Sequence, residues 1–173
     1  MALTTSVSCG GGDDGLEDHA RATTTIDPTT TTQLAPEEEA EAVYLEFVDT
    51  VMRLLTTEPD PANADLAQLA VDPVLGRIRD NLTTMQAENH IVQRGERTSQ
   101  EVISTTVDSL TSVVLRVCDV GNDTTIDRDD GAIVDEGLST RLLEVTVTSH
   151  GDKWVVSDIA TLERFSGEVP CPD

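Results

Sequence analysis

The first 40 residues contain almost no large apolar side chain, so a hydrophobic core has to be built from the residues that follow. This segment consists mainly of Thr, Gly, Asp, Glu and Pro, and its eight acidic residues stand against one basic residue, Arg21. A chain with like charges and little to bury is expected to stay extended and hydrated. We therefore predict a disordered acidic linker, rich in Thr and Pro, over residues 10–39.

An apolar residue recurs every three or four positions after Pro36, which is typical of a helix with one buried face. Acidic residues at 37–39 suit the start of such a helix, because negative charge complements the helix dipole. The pattern predicts a first helix over about 37–57, a short second helix near 63–70, and a third from Pro73 to about Glu88.

After Gly95 the apolar period changes to two and β-branched residues become frequent, which is typical of strands. Residues 102–107 and 113–117 form one predicted hairpin, and residues 142–147 and 154–159 form a second. The polar stretch between the hairpins, residues 121–137, is predicted to be a loop. Helices followed by antiparallel strands predict an α+β fold, with the N-terminal helices packed on one face of a curved antiparallel sheet.

The charge of the chain excludes several partners. It has 33 acidic and 11 basic residues, a formal net charge of −22. This charge repels nucleic-acid phosphates and anionic lipid headgroups, so we expect no nucleic-acid partner. The longest uncharged apolar run is far shorter than the roughly 20 residues of a spanning helix. Contact with a membrane is therefore expected only through an anchor of another kind.

Several ordered features together resemble a known group of proteins. They are the succession of helices and strands, the Cys-Gly-Gly-Gly-Asp-Asp segment at residues 9–14 followed by a Thr/Pro/Glu linker, Cys118-Asp119 at the end of a predicted strand, the Gly-Asp-Lys-Trp-Val-Val segment at residues 151–156, and Cys171. The chain resembles the small exported lipoproteins of high-GC Gram-positive bacteria that carry a nuclear transport factor two-like domain. That domain is a cone-shaped α+β fold. The resemblance implies a remnant of a signal sequence at residues 1–9 and one cone-like domain over residues 40–173.

The resemblance also implies a lipid anchor at Cys9. In such lipoproteins a cysteine that follows small residues receives diacylglycerol, and Ser8-Cys9-Gly10 resembles this junction. Residues 1–8 lack the basic start and the apolar run of an export signal, so this interpretation requires that Met1 is not the natural start. We expect an extracytoplasmic, lipid-anchored protein. A cytoplasmic protein with an unmodified Cys9 is the alternative.

The other two cysteines, Cys118 and Cys171, are expected to form a disulfide in a protein of this kind, since three cysteines leave one over. Closing the loop of 171 − 118 = 53 residues would stabilise the fold by about 4 kcal/mol. The bond requires an oxidising compartment, as export would provide. Two reduced thiols are the alternative.

Three aromatic residues, Tyr44, Phe47 and Trp154, are the candidates for lining a pocket. Proteins with the cone-shaped fold that this chain resembles include isomerases and cyclases, which place an Asp or His base beside a pocket tyrosine. Tyr44 is the one tyrosine of this chain. Packing is the alternative role for Tyr44, and a structural role is the alternative for Trp154. We assign no catalytic residue.

The acidic stretch from Asp119 to Gly131 has carboxylates near glycines, which calcium favours. It does not fit an EF-hand, because counting from Asp127 places Gly131 at the fifth position instead of the sixth. We expect a solvated loop, with no metal and no cofactor. Weak calcium binding outside the cell, in the millimolar range, is the alternative.

The expected function is a non-catalytic domain of the cell envelope that binds a protein partner or a small apolar ligand. A small enzyme of the isomerase or cyclase type, acting through Tyr44, is the first alternative. A scaffold that forms a homodimer is the second. The sequence contains no nucleophile elbow, phosphate loop, dinucleotide fingerprint or HExxH motif.

Overall fold

A computed structural model describes residues 34–167. Cys9, Cys171 and the predicted linker up to residue 33 lie outside the described residues. The helices of the described chain are α1 (Pro36–Thr56), α2 (Leu66–Leu69) and α3 (Val74–Ala87), and its strands are β1 (His90–Gln93), β2 (Ser99–Ser109), β3 (Ser112–Gly121), β4 (Thr124–Asp127), β5 (Ile133–Glu136), β6 (Ser139–His150) and β7 (Lys153–Ser166).

The strands form two antiparallel sheets. The larger sheet has the order β2-β3-β6-β7, and the smaller one has the order β1-β4-β5. Both predicted hairpins are confirmed, as β2–β3 and β6–β7. The three predicted helices are also confirmed. The first begins at Pro36, where the carboxylate of Glu38 accepts a 3.2 Å hydrogen bond from the backbone N–H of Ala35.

The predicted α+β architecture, helices packed on one curved, cone-like sheet, is wrong. Strand accounts for 46% of the structure and helix for 29%, and the strands divide between two sheets. The predicted loop at 121–137 contains β4 and β5, because its Thr, Ile and Val side chains favour extended backbone. Gly131, with a φ of 72°, lies in the turn between these two strands.

The helices also fall short of forming a layer on the sheet. The second has only four residues, and the third buries only Val74, Leu82 and Met85. Leu82 packs with Leu54 of α1 and Leu66 of α2, in a cluster supplied by the three helices alone. Part of the helical apolar surface is therefore buried between helices instead of against strands.

The main core lies on one face of the larger sheet. Side chains alternate between the two faces of a strand, so every second residue of β3 and β6 points into this core. The strand residues of the core are Val113, Leu115, Val117, Leu143, Val145, Val147 and Val156, and α1 contributes Ala40, Tyr44 and Phe47. Within residues 34–167 no helix is both long and apolar enough to cross a bilayer.

Candidate functional site

An ion pair between a buried carboxylate and a partly exposed guanidinium lies at one end of the core face. Asp119 of β3 is 3% exposed and lies directly opposite Arg141 of β6. Oδ2 of Asp119 accepts a 2.7 Å hydrogen bond from Nε of Arg141 and lies 2.5 Å from its Nη2. Oδ1 accepts a 2.7 Å hydrogen bond from Nε2 of Gln100 in β2. Both carboxylate oxygens are therefore engaged by protein donors.

These residues belong to a polar row that crosses the larger sheet. Gln100 pairs with Asp119, Asp119 with Arg141, and Arg141 with Arg164 of β7. Directly opposed residues of an antiparallel pair share a face of the sheet, so the row continues the face that carries the core. The apolar face of the sheet therefore ends in a row of polar and charged side chains.

Tyr44 interacts electrostatically with Asp119 and Arg141 of this row. Its side chain is 1% exposed. Burial raises the pKa of Tyr44 above its ordinary value, the negative charge of Asp119 raises it further, and the Arg141 guanidinium opposes the rise. Tyr44 is therefore a neutral phenol at physiological pH, which suits it to hydrogen bonding and packing and not to acting as a base.

The candidate pocket residues are divided between two settings. Tyr44 and Phe47 are buried in the core, at 1% and 4% exposure. Trp154 is half-buried at the border of the same core and lines two surface grooves that include neither of the other two. The sequence pattern did not separate these environments, because all three residues have the apolar spacing of a buried face.

Trp154 links β7 to the first turn of α1. Its indole Nε1–H donates a 2.7 Å hydrogen bond to Oε2 of Glu39. The neighbouring Lys153 donates through Nζ to Oε1 of Gln68, at 2.6 Å, so β7 is also tied to α2. These two bonds hold the indole at a fixed orientation beside the helices.

The two grooves at Trp154 have volumes of about 560 and 420 Å³ and share Leu34, Glu39, Asp152 and Trp154. Leu110, at the tip of the β2–β3 hairpin, is 93% exposed and lines the first groove. Leu34 is 51% exposed. The surface around Trp154, here called the Trp154 groove, therefore combines exposed apolar side chains with acidic ones.

No group of three or more His, Cys, Asp and Glu residues within 34–167 is arranged to hold a metal ion. The acidic turn that the sequence singled out is stabilised by its own backbone. Oδ1 of Asp127 accepts a 2.8 Å bond from the N–H of Asp129, and Oδ1 of Asp130 accepts a 2.9 Å bond from the N–H of Ala132. These carboxylates satisfy turn donors, as Asp side chains commonly do.

Cys118 is 9% exposed and points to the face of β3 opposite Asp119. Its predicted partner Cys171 lies outside the described residues, so the disulfide stays a prediction. The lipid anchor at Cys9 stays a prediction for the same reason.

Sequence reasoning missed the polar row. A signal was present, since Asp119 and Arg141 each interrupt an alternating series of Val and Leu at the position where another apolar residue would be expected. Recognising it required the register between β3 and β6, which places the two residues opposite each other. The local pattern of either strand does not contain that register.

The chain matches no known protein family and no curated protein. Its fold is similar to the crystal structure of the intermembrane space region of chloroplast protein ARC6, with a TM-score of 0.60 and 12% identity. The match covers 75% of this chain and 98% of that one. Identity this low shows a shared fold alone.

Proposed function

We propose that this chain is a non-catalytic binding domain of the cell envelope, held at the membrane through Cys9, and that the Trp154 groove is its binding surface. The observation that carries the proposal is the half-buried Trp154 flanked by Leu110, which is 93% exposed, and Leu34, which is 51% exposed. Tryptophan is among the side chains that most often anchor a partner, and clustered exposed apolar residues mark binding sites.

The hydrogen bonding of the polar row favours binding over catalysis. A general base needs a free lone pair directed at a substrate. The carboxylate of Asp119 instead accepts hydrogen bonds from Gln100 and Arg141, and Tyr44 holds its proton. The core around Tyr44 is filled by apolar side chains such as Phe47 and Leu115.

The proposed location rests on the linker and on Cys9. The linker that the sequence predicts has about 30 residues, and a random-coil chain of that length has a root-mean-square span of about 30 Å, enough to hold a domain clear of lipid headgroups. Intact mass of the membrane fraction, from the gene expressed in a high-GC Gram-positive host, tests this. A diacylglycerol adduct at Cys9 supports the proposal, and a soluble species with unmodified Cys9 refutes it.

A site-specific photocrosslinker tests the groove. We would place it at Leu110 in the full chain and, as a matched control, at Thr83, an exposed residue of α3. One protein adduct that forms at Leu110 and not at Thr83, and that is lost in Trp154→Ala, supports a protein partner. Nile red fluorescence that rises with the chain and falls in Trp154→Ala supports a small apolar ligand. If the folded protein gives neither the specific adduct nor the fluorescence change, the proposal is contradicted.

A small enzyme of the isomerase or cyclase type, acting through Tyr44, is the second candidate that the sequence raised, and Tyr44 is 1% exposed within the apolar core. Its test is deuterium exchange at the carbon beside the carbonyl of an enolisable ketone, followed by NMR. Exchange that the chain accelerates and that Tyr44→Phe abolishes would favour the enzyme. Equal rates for both proteins would remove it.

The homodimeric scaffold is less favoured. The outer face of the larger sheet, which points away from the core, carries the exposed and charged Arg116 and Glu144 opposite each other at its centre. Charged residues are depleted from the centres of protein interfaces. Light scattering that gives a monomer mass would agree with this view, and a dimer mass would reverse it.

A further inference from the structure

A third groove lies between the second half of α1 and β1, away from Trp154, and has a volume of about 710 Å³. One wall is formed by Asp49, Met52, Arg53 and Thr56, and the other by residues 91–94. The helical residues are spaced by three and four, so they form one face of α1. The lining includes the apolar side chains of Met52, Ile91 and Val92.

The second wall of this groove is the edge of a strand. Ile91, Val92 and Gln93 of β1 line the groove, together with Arg94, which follows the strand. Successive side chains of a strand point to opposite faces, so three consecutive residues reach the same groove where the edge of the strand faces it. Among the described strands β1 pairs with β4 alone. Its other edge therefore presents backbone N–H and C=O groups to the groove, and such an edge is a template for another extended chain.

The groove also differs in charge from the rest of the molecule. It contains Arg53 and Arg94 against one acid, Asp49, in a chain of net charge −22. Among residues 34–167, Arg53 forms one ion pair, of 3.5 Å with Asp65, and both side chains are more than half exposed. Arg94 is exposed and makes no hydrogen bond or ion pair within residues 34–167. Two guanidinium groups are thus placed to meet a carboxylate.

We propose that this groove binds an extended peptide segment of another protein, which pairs with the free edge of β1 and places a carboxylate against Arg53 and Arg94. Addition of a strand to a sheet edge supplies main-chain hydrogen bonds, while pockets for side chains supply specificity. The apolar lining suits Val or Ile at alternate positions, and the four residues of β1 pair with a segment of similar length, about 13 Å. This site does not depend on the Trp154 groove being occupied.

The probe is a blocked heptapeptide in which Val alternates with Glu, titrated into the full chain by calorimetry and by NMR. Three peptides are compared with it. One replaces Glu with Lys, and two carry N-methyl groups on alternate residues in the two complementary phases. An N-methyl group removes a backbone donor without changing the side chain, and only one phase faces β1. A Val–Thr heptapeptide with a free or an amidated C-terminus distinguishes a terminal carboxylate from an acidic side chain.

The matched protein variants are Arg53→Gln, Arg94→Gln and Arg116→Gln, the last lying on the outer face of the larger sheet. We expect the Val–Glu peptide to shift the amide resonances of β1 and to bind about tenfold more weakly to each of the first two variants. One N-methyl phase should abolish binding while the other is tolerated. Arg116→Gln and Trp154→Ala should bind the peptide as the unchanged protein does.

Other results overturn the proposal. Equal binding of the Lys peptide removes the role of the two arginines, and equal binding of both N-methyl phases removes strand pairing. Absence of binding at millimolar peptide removes the site. Loss of binding in Trp154→Ala assigns the peptide to the Trp154 groove instead. Photocrosslinking at Leu110 tests the Trp154 groove, and the peptide titration tests the groove between α1 and β1. Either proposal can therefore be refuted while the other stands.

Discussion

Trp154 and Glu39 are 115 positions apart in sequence and are joined by a 2.7 Å hydrogen bond from the indole N–H to the carboxylate. The bond connects the first turn of α1 to β7. A hydrogen bond to a charged acceptor is stronger than one between neutral groups. The contact therefore holds together the two elements that border the Trp154 groove.

Removing the indole donor should weaken this connection. We expect Trp154→Phe to lower the free energy of unfolding by about 1.5–3 kcal/mol, because Glu39 loses a partner for its charge. Glu39→Gln keeps an acceptor and should cost less. Glu37→Gln is the control, since Glu37 lies in the same turn and its side chain makes no hydrogen bond or ion pair within residues 34–167. Urea titration measures all three, and an equal loss in the control would contradict the expectation.

The raised pKa of Tyr44 predicts a loss of stability in alkaline solution. The folded protein holds the phenolic proton more tightly than the unfolded chain, so this contribution is complete below the ordinary tyrosine pKa of about 10. Above that pH it should fall by about 1.4 kcal/mol per pH unit, until the pH reaches the raised pKa of the folded state.

Since Tyr44 is the single tyrosine of the chain, the ultraviolet absorbance of tyrosinate reports it alone. We expect that absorbance to appear only together with unfolding, and we expect Tyr44→Phe to remove the additional alkaline slope. Tyrosinate absorbance in the folded protein near pH 10 would disprove the assignment.

Breaking the Asp119–Arg141 pair should lower the free energy of unfolding more than replacing both residues by apolar ones. Asp119→Ala leaves Arg141 and Gln100 without their acceptor, and we expect a loss of about 1.5–3 kcal/mol in the free energy of unfolding, because the Arg141 side chain is partly exposed and water can solvate its charge. Replacing both ions by apolar side chains, Asp119→Leu with Arg141→Met, should recover most of it. Glu144→Gln, on the exposed outer face, should change stability by less than about 0.5 kcal/mol. A double variant as unstable as Asp119→Ala would show that the row does more than bury charge.

The predicted disulfide can be tested by mass and by stability. Gly167 is the last described residue, and its carbonyl accepts a 3.2 Å hydrogen bond from Oγ1 of Thr140. Thr140 pairs with Val120 of β3, and Val120 lies two positions after Cys118. Gly167 and Cys171 are four positions apart in sequence, enough for the chain to reach about 14 Å.

We expect a reductant-sensitive bond in the oxidised protein and a loss of up to about 4 kcal/mol in Cys171→Ser. Cys9→Ser is the control and should leave both observations unchanged. Three free thiols in protein isolated from an oxidising compartment would contradict the pairing.

Local patterns predicted the helices and both hairpins because each depends on residues near in sequence. The period of three and four after Pro36 specifies α1, and the alternation around Val113 and Val145 specifies strands. The smaller sheet was missed because β4 and β5 have four residues each and lie among Asp, Asn and Gly, which are typical of loops.

The candidate site was predicted only in part. Spacing selected Tyr44, Phe47 and Trp154 as members of a buried face, but it did not show which would be enclosed and which would reach the surface. The groove between α1 and β1 joins residues about 40 positions apart, such as Arg53 and Arg94. Such juxtapositions depend on how the two sheets and the helices are arranged in space, which local periodicity does not encode.

The polar row also favours one register between β3 and β6 over the alternatives. The apolar rows of these strands are so alike that a shift of two residues would still oppose Leu115 to Val147 and Val117 to Val145. The same shift would place Asp119 against Leu143 and Arg141 against Gly121, so the buried Asp119 carboxylate would lose its cation at a cost that the native pairing avoids. A wholly aliphatic strand pair of this length would accept both alignments with similar free energy, whereas the ion pair favours one of them. We therefore expect the pair to contribute more to the choice of a single strand register than to the free energy of unfolding.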